Sequence, residues 1–317
     1  MKTMNSVGEF TLIAELRKSF GKAKGRLRVA IGDDAAVFME KAGKSLLATT
    51  DMMVENVHFS PFSPPFKVGR KALASNISDI SAMGGCPLYG LVSVGLRKNT
   101  PLKYARALLK GIRKEAARYK VKIIGGDTVS SKVNLINIVI LGEVEGHKYA
   151  LRSGAKEGDI IAVTGTLGNG AAALLNGDIY VPGINAAFAE EAVKTGLING
   201  MIDISDGLSS EIHHLAEESC LGAFVDLKAI PVSSFAKKAA RRSKKDPYAL
   251  ALNGGEDYEL LFTAGAEKLR KVLALAKRFS VQVTVLGIMR NKKEGVKLAG
   301  ISGELKDLVR KGYDHFV

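Results

Sequence analysis

Acidic residues recur in this sequence where short apolar runs end. Leu46-Leu47-Ala48 gives way to Thr49-Thr50-Asp51, and Val29-Ala30-Ile31 to Gly32-Asp33-Asp34. Ile123-Ile124 runs into Gly125-Gly126-Asp127, Met201-Ile202 into Asp203-Ile204-Ser205-Asp206-Gly207, and Leu250-Ala251-Leu252 into Asn253-Gly254-Gly255-Glu256-Asp257. A carboxylate at the end of a buried strand must be hydrated, paired or bound to a metal, because an isolated desolvated charge is too costly to keep. Carboxylates among glycines in an otherwise basic chain fit a magnesium and phosphate site, since magnesium takes oxygen ligands and is usually held by a few carboxylates plus substrate phosphates. Asp33, Thr49, Thr50, Asp51, Asp79, Asp127, Asp203 and Asp206 are the candidate ligands. The sequence offers no Ser-His-Asp or Cys-His arrangement, which leaves positioning and electrostatics as the main catalytic terms.

Several of these residues also have plain structural readings. Asp33 and Asp34 sit between two strand-like runs, where aspartate commonly bonds its own backbone in a turn. Asp206 or Ser209 is placed to cap a helix from about Ser209 to Glu218. The loop Gly165-Thr166-Leu167-Gly168-Asn169-Gly170 precedes a helix near Ala171 to Leu175, which suits phosphate, but it matches neither the dinucleotide nor the Walker fingerprint.

The elements that must position these groups alternate between strand and helix. Strands are expected at 29–31, 35–38, 46–50, 89–96, 121–124, 135–144, 159–165, 222–227 and 281–288, with helices at 7–16, 71–83, 104–119, 235–245 and 268–278. In Lys71 to Met83, Leu73, Ile77 and Ile80 form an apolar face, while Ala72, Ser75, Asp79 and Ala82 form a row of small residues around one carboxylate. That row allows close approach while presenting Asp79. The alternation gives an α/β or α+β class. Length implies two domains, drawn at 1–147 and 148–317 with a connection near Gly146 to Gly158.

Composition narrows the partners. The chain has 317 residues, 46% hydrophobic and 25% charged, with a formal net charge of +14, an excess that suits phosphorylated ligands or nucleic acid. The aromatic fraction is 6% with no Trp, a poor supply for base stacking. The basic runs at Arg17–Arg28, Lys237–Lys245 and Arg290–Lys297 read as solvated faces, so nucleic acid is not expected. No apolar run approaches the roughly 20 residues that span a bilayer, and the start lacks a secretory signal, so a cytoplasmic protein without a membrane partner is expected. Cys86 and Cys220 lack metal or disulfide spacing and read as small buried hydrophobes.

Eight segments in order resemble the thiamine-monophosphate kinase family, in the superfamily shared with aminoimidazole ribonucleotide synthetase and selenophosphate synthetase. They are IGDDAAVF (31–38), TTDMMVENVHF (49–59), GRKALASNISDISAMGG (69–85), IIGGDT (123–128), LRSGAKEGD (151–159), MIDISDGL (201–208), NGGEDYELLF (253–262) and GYDHF (312–316). The resemblance implies an N-terminal α/β domain that forms a shared β-barrel across a homodimer and a C-terminal α+β domain that closes over the ligands. It implies ATP and Mg2+ as cofactors, thiamine phosphate as substrate and in-line phosphoryl transfer, with Asp51, Asp127 and Asp206 central to catalysis. Gly126, Asp127, Arg152 and Ser205 would contact ATP, and His58, Glu256 and Tyr313 would face thiamine phosphate. A ribonucleotide-synthetase-like ligase is the alternative, disfavoured by EDYELLF and GYDHF. A basic nucleic-acid binder on the same scaffold is the reading from another class.

Overall fold

The structure is a computed structural model that describes residues 9–20, 23–39 and 43–312. Its first half joins α1 (Glu9–Phe20), β1 (Leu27–Val29), β2 (Ala36–Met39), β3 (Lys44–Val54), α2 (Pro65–Ala82), β4 (Cys86–Leu96), α3 (Leu102–Tyr119), β5 (Lys122–Ser130) and β6 (Leu135–Glu145). These strands make a six-stranded sheet in the order β1-β2-β3-β6-β4-β5. The crossover through α3 makes β4 and β5 parallel, and the other pairs are antiparallel.

The second half comprises β7 (Ile160–Thr164), α4 (Asn169–Leu175), α5 (Ala186–Lys194), β8 (Gly200–Asp203), α6 (Leu208–Glu218), β9 (Gly222–Asp226), α7 (Ser234–Ser243), α8 (Pro247–Asn253), β10 (Leu260–Ala264), α9 (Leu269–Arg278), β11 (Val283–Arg290), β12 (Val296–Ala299) and β13 (Leu305–Asp307). Its seven-stranded mixed sheet runs β13-β12-β9-β11-β7-β10-β8. Each sheet has its own apolar core, and Ile179, Ile184 and Tyr258 from the second half pack into the first.

Helix α2 is the central element. Thirteen of its 18 residues are buried, which requires neighbours on more than one side. It lies on β3 and β6, runs beside α3, and meets α5 and β8 of the second half. It also starts earlier than its periodicity suggests. Pro65 occupies the first turn, where proline's fixed φ and missing N–H cost nothing, so Pro65 and Phe66 are helical rather than loop.

Other expectations change too. β3 continues to Val54 and β5 to Ser130, so Asp51 and Asp127 lie inside strands rather than at their ends. The run Leu250-Ala251-Leu252 is helical, in a helix that starts at Pro247 and whose N-cap Asp246 accepts the Tyr248 amide. Neither Asp206 nor Ser209 caps α6, whose N-cap is Gly207. Cys86 is half-buried and Cys220 exposed, the latter just beyond the end of α6 with φ +55°. Among the described residues both sheets are open in the single chain, with β5 at one edge and exposed along its whole length.

Candidate active site

Three buried or half-buried carboxylates from separate segments converge, with oxygens of Asp34, Asp79 and Asp203 all within 4.8 Å of one another. Asp34 comes from the turn before β2, Asp79 from the last turn of α2 and Asp203 from the last position of β8. Thr49 Oγ1 on β3 donates to Asp79 Oδ2 at 2.6 Å, and Ser78 Oγ donates to Asp203 Oδ2 at 2.5 Å. The Asp51 amide donates to Asn76 Oδ1 at 2.9 Å, which holds β3 against α2 and sets Asp51 beside the cluster. These contacts explain the polar side of α2. Its small and hydroxylic residues let a strand and a second sheet approach.

The electrostatics are those of crowded anions. Burial, then the charges of Asp51, Asp203 and Asp34, push Asp79 well above the ordinary carboxylate range. Burial and the charge of Asp34 push Asp203 up to about 8, and burial and Asp34 push Asp33 up to about 7. Burial raises Asp34 as well, against the opposing pull of Arg152. Arg152, in the 3-10 turn Arg152–Gly154, donates through Nη2 to Asp34, and its amide donates to Asp33 Oδ2 at 3.4 Å. It is therefore a half-buried part of the site, paired to the acidic cluster.

Sheet alternation divides the expected ligands. Asp51 pairs in register with Ile138, and Thr49 with Ile140; both isoleucines are core residues beneath α2. Thr50 points to the opposite face, where its hydroxyl meets Asn137 Oδ1 and the Ile138 carbonyl, each at 3.1 Å. Asp127 lies opposite Ser93, which lies opposite Asn137, so Asp127 shares that far face. Within one chain Thr50 and Asp127 are thus separated from the Asp79 cluster, because successive strand residues face opposite ways. Gly126 serves close approach: a Cβ there would stand 1.8 Å from the Val92 carbonyl oxygen.

The remaining site residues fall around β8 and the loop after α8. Ser205 accepts the Glu256 amide through its carbonyl at 2.7 Å, bringing 203–206 and 253–259 together. The Asp206 amide donates to Glu211 Oε1 at 3.0 Å. Burial and then Asp206 hold Glu211 well above the ordinary range. His58 Nδ1 accepts the Val54 amide at 3.0 Å, a local turn contact that puts its proton on Nε2. Tyr313 lies outside the described residues. The segment before it is anchored on α6: His213 Nε2 is 2.7 Å from the Leu308 carbonyl, Ser209 Oγ donates to the Lys311 carbonyl at 2.7 Å, and Gly312 lies against Ser210 and Asp206.

The glycine turn before α4 is filled by the protein itself. Asp257 accepts the amides of Gly168, Asn169 and Gly170 at 2.6, 2.7 and 3.0 Å. An internal carboxylate occupies the anion-holding geometry that suggested phosphate.

Sequence reasoning missed Asp34, Asn76, Ser78, Lys71 and Glu211. The Asp33-Asp34 pair and the spacing of Asn76, Ser78 and Asp79 carried a partial signal. Glu211 lies in the first turn of α6, five residues beyond Asp206.

Residues 32–144 match the family described as AIR synthase related protein, N-terminal domain, and residues 181–298 match its C-terminal domain. Together with the two open sheets and the acidic cluster between them, these matches define a two-domain AIR-synthase-like α/β protein. The chain is 34% identical to the thiamine-monophosphate kinase of Bacillus subtilis, over 91% of this chain and 93% of that one. It is 36% identical to the thiamine-monophosphate kinase of Pyrococcus horikoshii, over 90% and 91%. The solved structure described as AaThiL complexed with AMPPCP and TMP superposes with a TM-score of 0.86 at 31% identity, covering 100% of this chain and 99% of that one. The chain belongs to the thiamine-monophosphate kinase family.

Proposed function

We propose that the protein transfers the γ-phosphoryl group of ATP to thiamine phosphate, giving thiamine diphosphate and ADP. The observation that carries this reading is the convergence of Asp34, Asp79 and Asp203 in a chain similar end to end to a kinase bound to AMPPCP and TMP. AMPPCP stands in for ATP, with a methylene in place of the β,γ-bridging oxygen.

The donor set fits magnesium. Its members are hard oxygens, they are crowded, and their raised proton affinity means that they require a cation to be ionised together at neutral pH. Asp34, Asp79 and Asp203 would hold it, with Asp33, Asp51 and Thr49 alongside and Asp206 toward the Glu211 side. What magnesium supplies when bound is neutralisation of the phosphate oxygens. Arg152, already held by Asp34, is the cationic side chain beside the nucleotide phosphates, and Ser205 forms the adjoining wall. His58, Glu256 and Tyr313 face thiamine phosphate. The acceptor oxygen belongs to a phosphate monoester, largely ionised at neutral pH with a second pKa of about 6, so no side chain need remove a proton.

The domain boundary at 147/148 and a homodimer belong to the same reading. Supporting the dimer, edge strand β5 exposes Ile123, Ile124 and Val129 and, among the described residues, leaves one ladder unpaired. A second copy against this edge would close the shared barrel and bring another Asp127 and Gly126 to the assembly. Among the described residues no helix is long and apolar enough to cross a membrane, in keeping with a cytoplasmic enzyme.

The test is chromatographic. Purified protein with ATP and magnesium, offered thiamine or thiamine phosphate separately, is expected to yield thiamine diphosphate only from thiamine phosphate. Absence of product from thiamine phosphate with folded, ATP-binding protein rejects the reaction.

A further inference from the structure

Lys71 is almost completely buried, at 2% exposure, on the first half of α2. An ammonium is costly to bury unless it is paired, and a residue kept there for packing alone would be apolar. Its partner is the Glu256 carboxylate, through Oε1. Ser78, seven residues on and therefore on the same helix face about 10 Å further along, holds Asp203 of the acidic cluster. One face of α2 thus addresses both ends of the site.

The loop that carries Glu256 is fixed independently. The Glu256 and Tyr258 amides donate to the Ser205 and Ile204 carbonyls at 2.7 and 2.8 Å. Both residues adopt left-handed backbone, at φ +66° and +53°, a conformation that persists where surrounding contacts over-determine it. Gly255 presses on the Ser205 carbonyl, where a Cβ would stand at 2.1 Å. The Glu256 side chain stays one-third exposed, with Oε1 tied to Lys71 and, among the described residues, no hydrogen bond to Oε2. A carboxylate held by one oxygen and open at the other is oriented for a ligand cation.

We infer that Lys71 is a positioning residue that fixes Glu256 so that its free oxygen addresses the cationic ring of the substrate, an assignment that rests on the thiamine phosphate reading above. Thiamine phosphate is anionic at one end and cationic at the other. Its phosphate belongs at the acidic, cation-holding end of α2, and its thiazolium at the Glu256 end. Because the ammonium also cancels part of the Glu256 charge, the pair supplies orientation and selectivity for a cation rather than raw attraction.

The experiment uses full-length wild type, Lys71→Met, Glu256→Gln and the double variant at saturating ATP. Each is assayed with thiamine phosphate and with the phosphate ester of 3-deazathiamine, whose ring is neutral. Lys71→Met is expected to raise KM for thiamine phosphate about tenfold, with less than about a threefold change in kcat or in KM for ATP. The preference for the cationic ring should fall in both single variants, and the double variant should be no worse than Glu256→Gln. Equal losses for the two rings, effects that multiply in the double variant, or an unchanged or lowered KM in Lys71→Met would overturn the assignment. Should Lys71→Met not fold, Lys71→Gln is read by the same criteria. Should wild type make no thiamine diphosphate, the reaction reading fails, and calorimetric binding of the two phosphate esters to the same proteins decides the role of Lys71.

Discussion

Two groups of buried carboxylates in this protein face opposite situations. Asp257 lies deep in the second half with three backbone amides aimed at it, and burial still pushes it up to about 7. Asp79 is half-buried, but beyond the Thr49 hydroxyl its neighbours are further carboxylates, each of which raises it again. The first arrangement is complete without a ligand. The second satisfies its charge only by holding protons or by binding a cation. What marks a ligand site here is the lack of internal compensation rather than burial or acidity, and the glycine turn that looked like a phosphate loop fails that criterion.

The contrast breaks most sharply at Asp79. Asp79→Asn is expected to lower turnover by at least about 100-fold, as loss of a preorganised electrostatic group does, while the metal-free protein melts no earlier than wild type because a like charge has gone. Retained turnover at saturating magnesium would remove the cluster from the mechanism. Asp257→Ala should act mainly on folding, costing about 3 kcal/mol as buried amides lose their acceptor, measured by denaturant unfolding. An unchanged midpoint would mean that water or another group satisfies the turn.

A smaller effect follows from protons. Asp203, at about 8, and Asp33, at about 7, hold protons in the folded chain to higher pH than the ordinary 3.8 of the unfolded chain. The folded state therefore binds more protons across that window, and metal-free stability falls as pH rises from about 4 toward about 8. Magnesium competes with those protons, so its thermal stabilisation should grow between about pH 6 and 8.5. A magnesium shift independent of pH would show that the cation binds away from these residues.

Local signals carried much of the architecture. Apolar runs marked β3, β6 and β7, the period of Leu73, Ile77 and Ile80 marked α2, and alternation of strands with helices gave the class. The start of α2 at Pro65 and the helical state of Leu250–Leu252 were missed, because a proline in a loop-like run and three consecutive apolar residues are ambiguous without their tertiary neighbours. In the site, the acidic stations were legible as residue types, and Asp79 and Asp203 stood out from the start.

The sequence by itself determined the chemistry on offer: oxygen donors in glycine-rich segments, a basic remainder and no nucleophile-base pair. Tertiary structure decided which donors meet. Pleating turns Asp51 toward α2 and Asp127 away from it, and sheet order sets two strands, β6 and β4, between β3 and β5. The turn before β2 gives Asp34 to the cluster, and the loop after α8 gives Asp257 to the glycine turn and Glu256 to Lys71. The physical reason is that side-chain direction follows local backbone geometry, whereas partnership and desolvation depend on segments that are distant in the chain.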